Sequence, residues 1–217
     1  MELSELEQDA LKEFFNMGLG MAADSLSQMV KKEILLSLPQ LAVVSHKEAV
    51  ELVDHKDEGK LVAVRQNFLG ELYGTALLIF PGGKSLELVR TLLGDDVPLE
   101  TLTELEQETL LDVGNVILNA FLSSFTQMMS IDCEFEAAEF LKAECEALLD
   151  SSSHRLLLSQ KIGGKESKEQ AFFLMMDFKT ADDEHKHNSL RGYVVLLFSE
   201  DAMATLKQEI QRIIAGL

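Results

Sequence analysis

The segment Leu3-Ser-Glu-Leu-Glu-Gln-Asp9-Ala-Leu-Lys-Glu13-Phe-Phe-Asn16 returns 99 residues later as Leu102-Thr-Glu-Leu-Glu-Gln-Glu108-Thr-Leu-Leu-Asp112-Val-Gly-Asn115. In both copies an acidic residue precedes a second one by four positions, and that second one precedes an asparagine by three. On a helix, spacings of four and three put all three side chains on one face. A duplicated polar stripe beside duplicated apolar rows describes a pseudo-twofold protein with two candidate sites. We therefore expect one domain over residues 1–217, built from the halves 1–98 and 99–217.

Apolar periodicity carries the element order. From Leu3 to about Val30, one row runs Leu3, Leu6, Ala10, Phe14, Met17, Met21 and a second runs Leu11, Phe15, Ala22, Leu26, Met29, which predicts a helix with a wide buried face. The narrow stripe left over is Glu5, Asp9, Glu13, Asn16, Gly20. Ile34 to Val44, interrupted by Pro39, predicts a strand at a sheet edge or starting at the proline. Strands at Leu61 to Val64 and Leu72 to Phe80 follow around Gly70, and a helix is expected from about Lys84 to Leu93, closed by Gly94-Asp95-Asp96. The second half repeats the order: a helix from about Glu104 to Met129, strands at Arg155 to Ile162, Ala171 to Phe178 and Arg191 to Phe198, then a helix from about Asp201 to Ile214 capped by Ser199 or Glu200. Hydrophilic stretches at Gly163 to Gln170 and Thr180 to Asn188 are expected to be hairpin loops. Connections this short leave no room for crossover helices, so the fold class is α+β with a largely antiparallel sheet flanked by long helices.

Composition narrows the function classes. A formal charge of -18 repels nucleic acid phosphates and anionic lipid, and Lys31-Lys32 is the only adjacent basic pair. With no run of about 18 apolar residues and no basic-then-apolar leader, a cytoplasmic protein is expected, with neither nucleic acid nor membrane among its partners. Cys133 and Cys145 lack Cys-x-x-Cys spacing and give neither a disulfide framework nor a zinc site.

An acidic and amidic helix face is ordinary solvated surface by default. Three features lift this one above that default: the spacing survives in both halves, asparagine recurs in mid-helix, and helix-weakening Gly18, Gly20 and Gly114 sit beside it. A carboxamide neither takes a proton nor attacks, but it both donates and accepts hydrogen bonds, which is what orienting a water requires. That points to hydrolysis of an electrophile activated elsewhere, with the neighbouring carboxylate anchoring a cation such as a partner's lysine. Acyl phosphates fit, being already reactive.

Asp9-x3-Glu13-x2-Asn16, followed after 22 residues by Pro39, resembles the motif of the CheC/CheX/FliY family of chemotaxis phosphatases, and Asn16-Met-Gly-Leu-Gly-Met-Ala-Ala-Asp-Ser-Leu-Ser-Gln-Met29 resembles its continuation. Two motif copies in one chain are most similar to the CheC members of that family. The resemblance implies a CheC-like fold and hydrolysis of the phosphoaspartate of a CheY-type response regulator. It implies further that Asn16 and Asn115 orient the water while Glu13 and Asp112 contact the regulator's active-site lysine. The chain would need no cofactor of its own, since the magnesium in that scheme belongs to the regulator. A CheD-type deamidase is a further implied partner, and the alternative is a non-catalytic adaptor for a regulator, a flagellar switch or such a deamidase.

The chain departs from the family pattern at three places. Phe14-Phe15 stand where an aliphatic and a small residue are usual, Asp112 replaces the expected Glu, and Ala138 stands where Pro39 would repeat. Crowding by Phe15 is therefore expected at the first site unless its ring turns into the core, and a shorter reach at the second. Other suggestive groups read as ordinary structure: His46, His55, His185 and His187 lack ligand spacing, Ser151-Ser152-Ser153-His154 is adjacency rather than a triad, Gly82-Gly83-Lys84-Ser85 is a turn with a cap, and Met128-Met129 and Met175-Met176 fill core.

Overall fold

The first helix begins where a capping box closes. The Ser4 hydroxyl accepts from the Glu7 backbone N–H, and the Glu7 carboxylate accepts from the Ser4 backbone N–H. The computed structural model describes residues 3–54, 61–93, 98–149, 169–180 and 190–216. In order these form α1 (Glu5–Val30), β1 (Ile34–Ser45), α2 (His46–Asp54), β2 (Leu61–Gly70), β3 (Gly74–Pro81), α3 (Gly82–Leu93) and α4 (Leu99–Met129). Then follow β4 (Cys133–Phe135), β5 (Glu139–Ala143), α5 (Cys145–Leu149), β6 (Glu169–Thr180), β7 (Leu190–Ser199) and α6 (Glu200–Ala215).

The strands make one antiparallel sheet in the order β1-β6-β7-β3-β2, with β4 and β5 sharing the outer side of β2. The sheet alternation splits the core into two layers. Val62, Val64 and Phe68 of β2 face one cluster with α1, α3, α4 and α6, whereas Leu61 and Ala63 face a second with α2 and α5. Pro39 lies in edge strand β1, where the pairing register breaks between Ser37 and Gln40, so its missing N–H costs no ladder bond. At the other edge, the gap between β4 and β5 contains Ala138.

Several sequence expectations need correction. Helix α4 starts at Leu99, ahead of Glu104, because Pro98 precedes it with φ -58, already suited to helix entry. Strand β2 runs on to Gly70, and β3 begins at Gly74 after a tight turn. Gly70 has φ +157, and a Cβ there would stand 2.2 Å from the Asp132 carbonyl oxygen. The short α2, β4, β5 and α5 were not expected. Glu169, Gln170 and Thr180 belong to β6 instead of hairpin loops. The proposed strand at 155–162, the helix stop at 94–96, the serine run with His154, and His55, His185 and His187 lie outside the described residues. Ser199 caps α6 as expected, its hydroxyl accepting from the Ala202 backbone N–H.

Two buried glutamates tie the long helices to their neighbours. Glu7 accepts from the Gln211 side chain of α6, and Glu106 accepts from Ser85 of α3 while meeting Lys142 of β5 at 3.2 Å. Burial raises the Glu7 carboxyl pKa, but the Ser4 backbone, Gln211 and the Ser4 hydroxyl outweigh it and hold the group below its ordinary value.

Helix α4 contains a stretch, Leu105–Met129, long and apolar enough to cross a membrane by length and composition alone, yet more than half of its apolar 18-residue window is buried inside the fold. Its apolarity answers to packing between α1 and the sheet. Contact with the sheet is close at Gly114, where a Cβ would stand 2.5 Å from the Val64 side chain. Gly114→Ala should therefore destabilise the protein by about 1 to 3 kcal/mol, the usual effect of overpacking. Urea unfolding of that variant, with and without Val64→Ala, checks this: Val64→Ala should recover part of the loss.

Candidate functional site

Both polar stripes lie on the long helices that pack together over the sheet. Phe15 of α1 is fully buried, its ring stacked on Phe121 at 4.8 Å and Phe125 at 5.4 Å, with Phe172 edge-on at 6.0 Å. Gly18 lets α1 approach α4, since a Cβ there would stand 3.1 Å from the Phe121 Cα. With the ring of Phe15 turned inward, the crowding expected beside Asn16 does not arise; Phe14 is half-buried against the same core.

Geometry follows from that packing. On α1, Glu13 and Asn16 are exposed; on α4, Asp112 is exposed and Asn115 half-exposed. None of these four side chains has a hydrogen bond or ion pair among the described residues. Asp9, by contrast, meets Lys12 at 3.3 Å, so of the two acidic residues in the repeated spacing Glu13 is the open one. A groove of about 640 Å³ beside α1 and the start of β1 is lined by residues such as Asp24, Lys32 and Leu35, and none of the four lies in it. The stripes are thus exposed helix surface outside that groove, accessible to a macromolecular partner.

One expectation about this surface fails. Half of the first apolar row of α1 does not pack inward: Leu6 is 61% exposed, Met17 55% and Met21 50%, whereas Leu3 is buried and Phe14 half-buried against the core. Leu11, Phe15, Leu19, Ala22 and Leu26 supply the buried face, and no described element covers Leu6, Met17 or Met21. Met17 directly follows Asn16, so the stripe is flanked by adaptable apolar side chains of the kind used at docking surfaces. Periodicity gave that row its apolar character but not its exposure.

Comparison with known proteins gives three findings. The sequence model of the CheC-like family matches residues 6–42, which hold Glu13, Asn16 and Pro39. The CheY-P phosphatase CheC of Bacillus subtilis (strain 168) is 26% identical over 135 residues, 59% of this chain and 63% of that protein, so the match spans less than two thirds of that relative. Among solved structures, Thermotoga maritima FliY superposes with a TM-score of 0.70 at 16% identity, covering 98% of this chain and 100% of that one. The FliM middle domain from H. pylori reaches 0.59 at 9% identity, over 95% and 99% of the two chains. At such identities the structural likeness speaks to the fold, which is the α+β arrangement expected from the sequence. Over residues 6–42 the chain is thus similar to the CheC-like family, over 135 residues to the B. subtilis protein, and over 98% of its length it shares the fold of T. maritima FliY.

Proposed function

We propose that this protein hydrolyses the phosphoaspartate of a CheY-type response regulator, using two stripes on pseudo-symmetric halves. The observation that carries the reading is the duplicated set Glu13, Asn16 and Asp112, Asn115, displayed on helix surface with every side chain unpartnered among the described residues. The strand order supports the two halves, because exchanging each first-half strand for its second-half counterpart reads β1-β6-β7-β3-β2 and its outer strands backwards. The name of the B. subtilis relative supports the substrate class.

Chemically, each stripe supplies position rather than activation. The aspartyl carboxylate is a good leaving group, since its acid has a pKa near 4. A water held in line needs little general base in a loose phosphoryl-transfer transition state. The Asn16 or Asn115 carboxamide accepts a hydrogen bond from that water and turns its oxygen toward phosphorus. The water oxygen forms a new bond to phosphorus as the acyl O–P bond breaks, the aspartate leaves as carboxylate, and the water's protons pass to the inorganic phosphate and to solvent. Glu13 or Asp112 meets a lysine ammonium of the regulator and fixes the docking register. Magnesium, in this scheme, is held by the regulator.

The first stripe is the stronger of the two. Asn16 is the more exposed amide, and Asp112 has a reach one methylene shorter than Glu13, which matters where an ångström of misplacement is costly. Asn16→Ala should lower phosphate release more than Asn115→Ala, and Asp112→Glu should raise turnover through the second stripe. Single-variant rates at one regulator concentration test the ranking; a larger loss for Asn115→Ala reverses it.

A second reading has its own support. The exposed Leu6, Met17 and Met21 provide a docking face that serves an adaptor as well as an enzyme, and a FliM middle domain shares the fold. Regulator binding without accelerated phosphate release is what that reading expects.

A further inference from the structure

The two stripes differ one helical turn beyond their asparagines. On α1 that position is Gly20, where a Cβ would meet nothing within 4 Å; on α4, 99 residues later, it is Asn119. Asp112, Asn115 and Asn119 are spaced three and four apart, so Asn119 extends the same face. Asn119 is exposed, yet its carboxamide is held from below. Gln66 of β2, almost wholly buried, donates from Nε2 to Asn119 Oδ1 at 2.9 Å and to the Glu136 backbone carbonyl at 3.0 Å.

This arrangement fixes orientation. The Glu136 carbonyl only accepts, so Gln66 must turn its NH2 group toward it, and the same NH2 group then faces Asn119. Asn119 must in turn present its oxygen inward, which leaves Nδ2 directed away from Gln66, with no partner among the described residues. Gln66 Oε1 is buried without a partner, the loss accepted for this orientation. Among the described residues nothing comparable stands behind Gly20. The β6 residue opposite the break at Leu38-Pro39 is Met176, as Gln66 lies opposite the break between β5 and β4, and Met176 is apolar and fully buried.

We propose that Asn119 is a further partner-binding residue of the second stripe, donating from Nδ2 to an oxygen acceptor on the docked regulator, and that Gln66 is the positioning residue that aims it. The proposal rests on the phosphatase reading of that stripe. The contact lies about 6 Å along the helix from Asn115, so it strengthens docking and leaves the attacking water untouched. It distinguishes the two stripes by the regulator surface each accepts.

The test uses the full chain carrying Asn16→Ala, so that release of phosphate from a phosphorylated CheY-type regulator reports the second stripe. Adding Asn119→Asp keeps an oxygen to accept from Gln66 but removes the outward donor. It should raise KM about three- to tenfold, the range expected for one lost hydrogen bond, with kcat retained. Asn119→Ala should do the same, and Gln66→Met, which frees the Asn119 amide to turn, should give a smaller rise with kcat again retained. Unchanged KM in Asn119→Asp, or a fall in kcat with KM constant, overturns the proposal. Adding Asn115→Ala to the same background separates the two readings: loss of turnover there, with Asn119 variants unchanged, overturns this inference alone. Unaltered turnover in Asn115→Ala overturns the reading of the stripe and this inference with it.

Discussion

Changing Asn16 and Asn115 together to alanine should abolish stimulated dephosphorylation of the regulator while leaving the fold intact. Both residues sit on the solvent side of long helices with no partner among the described residues to lose, and alanine is the better helix former, so stability should hold or rise slightly. Binding to the phosphorylated regulator should persist, because Glu13, Asp112 and the Met17 and Met21 side chains remain in place. Rates of phosphate release and a binding titration, made on the same preparation, separate these effects. Loss of binding in step with loss of turnover would mean that the amides dock the partner rather than place a water.

The second large effect is on stability. Phe15→Ala should cost about 3 to 5 kcal/mol, the usual range for removing a buried aromatic ring. Phe15 is fully buried and touches three other rings, two on α4 and one on β6, so its removal opens a cavity where both long helices meet the sheet. Urea unfolding followed by circular dichroism measures it. Because Asn16 is the next residue, some of that loss should appear as weaker activity at temperatures where the protein is still folded. A loss under 1 kcal/mol would show that the helices close over the gap, and that the packing around Phe15 does not set the pose of the first stripe.

Phe15 also shows what the sequence made legible. Its place in the second apolar row of α1 predicted an inward ring, and the long period of such rows made α1, α4 and α6 readable to within a few residues. Strands β3, β6 and β7 were readable because centre strands buried on both faces are continuous apolar runs, whereas β2 was read only from Leu61 to Val64, after which the polar Arg65-Gln66-Asn67 begins. Of the four elements that were missed, α2 has nine residues, and the other three are shorter still: α5 has five, β4 three and β5 five. Segments this brief complete barely a period, and β4 and β5 are half-exposed outer strands with acidic residues, so their pattern resembles a loop. Leu6, Met17 and Met21 in the first apolar row of α1 went wrong for a different reason. Periodicity says which side chains share a face, but what covers that face depends on tertiary packing, and Met17 and Met21 are left uncovered among the described residues.

The candidate site was legible in its spacing and not in its supports. Glu13, Asn16, Asp112 and Asn115 came from the repeat alone, since a polar pattern that returns after 99 residues marks one helix face twice. Gln66 carries no such signal. It lies in the polar run Arg65-Gln66-Asn67 of β2, where nothing in the pattern singles it out, and its tie to Asn119 joins positions 53 residues apart. Gly114 was legible as a weak helix former but not as the point where α4 meets Val64.

The central claim is that these stripes accelerate hydrolysis, and the most direct measurement is phosphate release from a phosphorylated CheY-type regulator with and without this protein. With the protein at a small fraction of the regulator concentration, the account predicts release well above the regulator's own rate, continuing over many turnovers per molecule. Saturable binding with release at the unassisted rate would contradict it and leave the adaptor reading in its place.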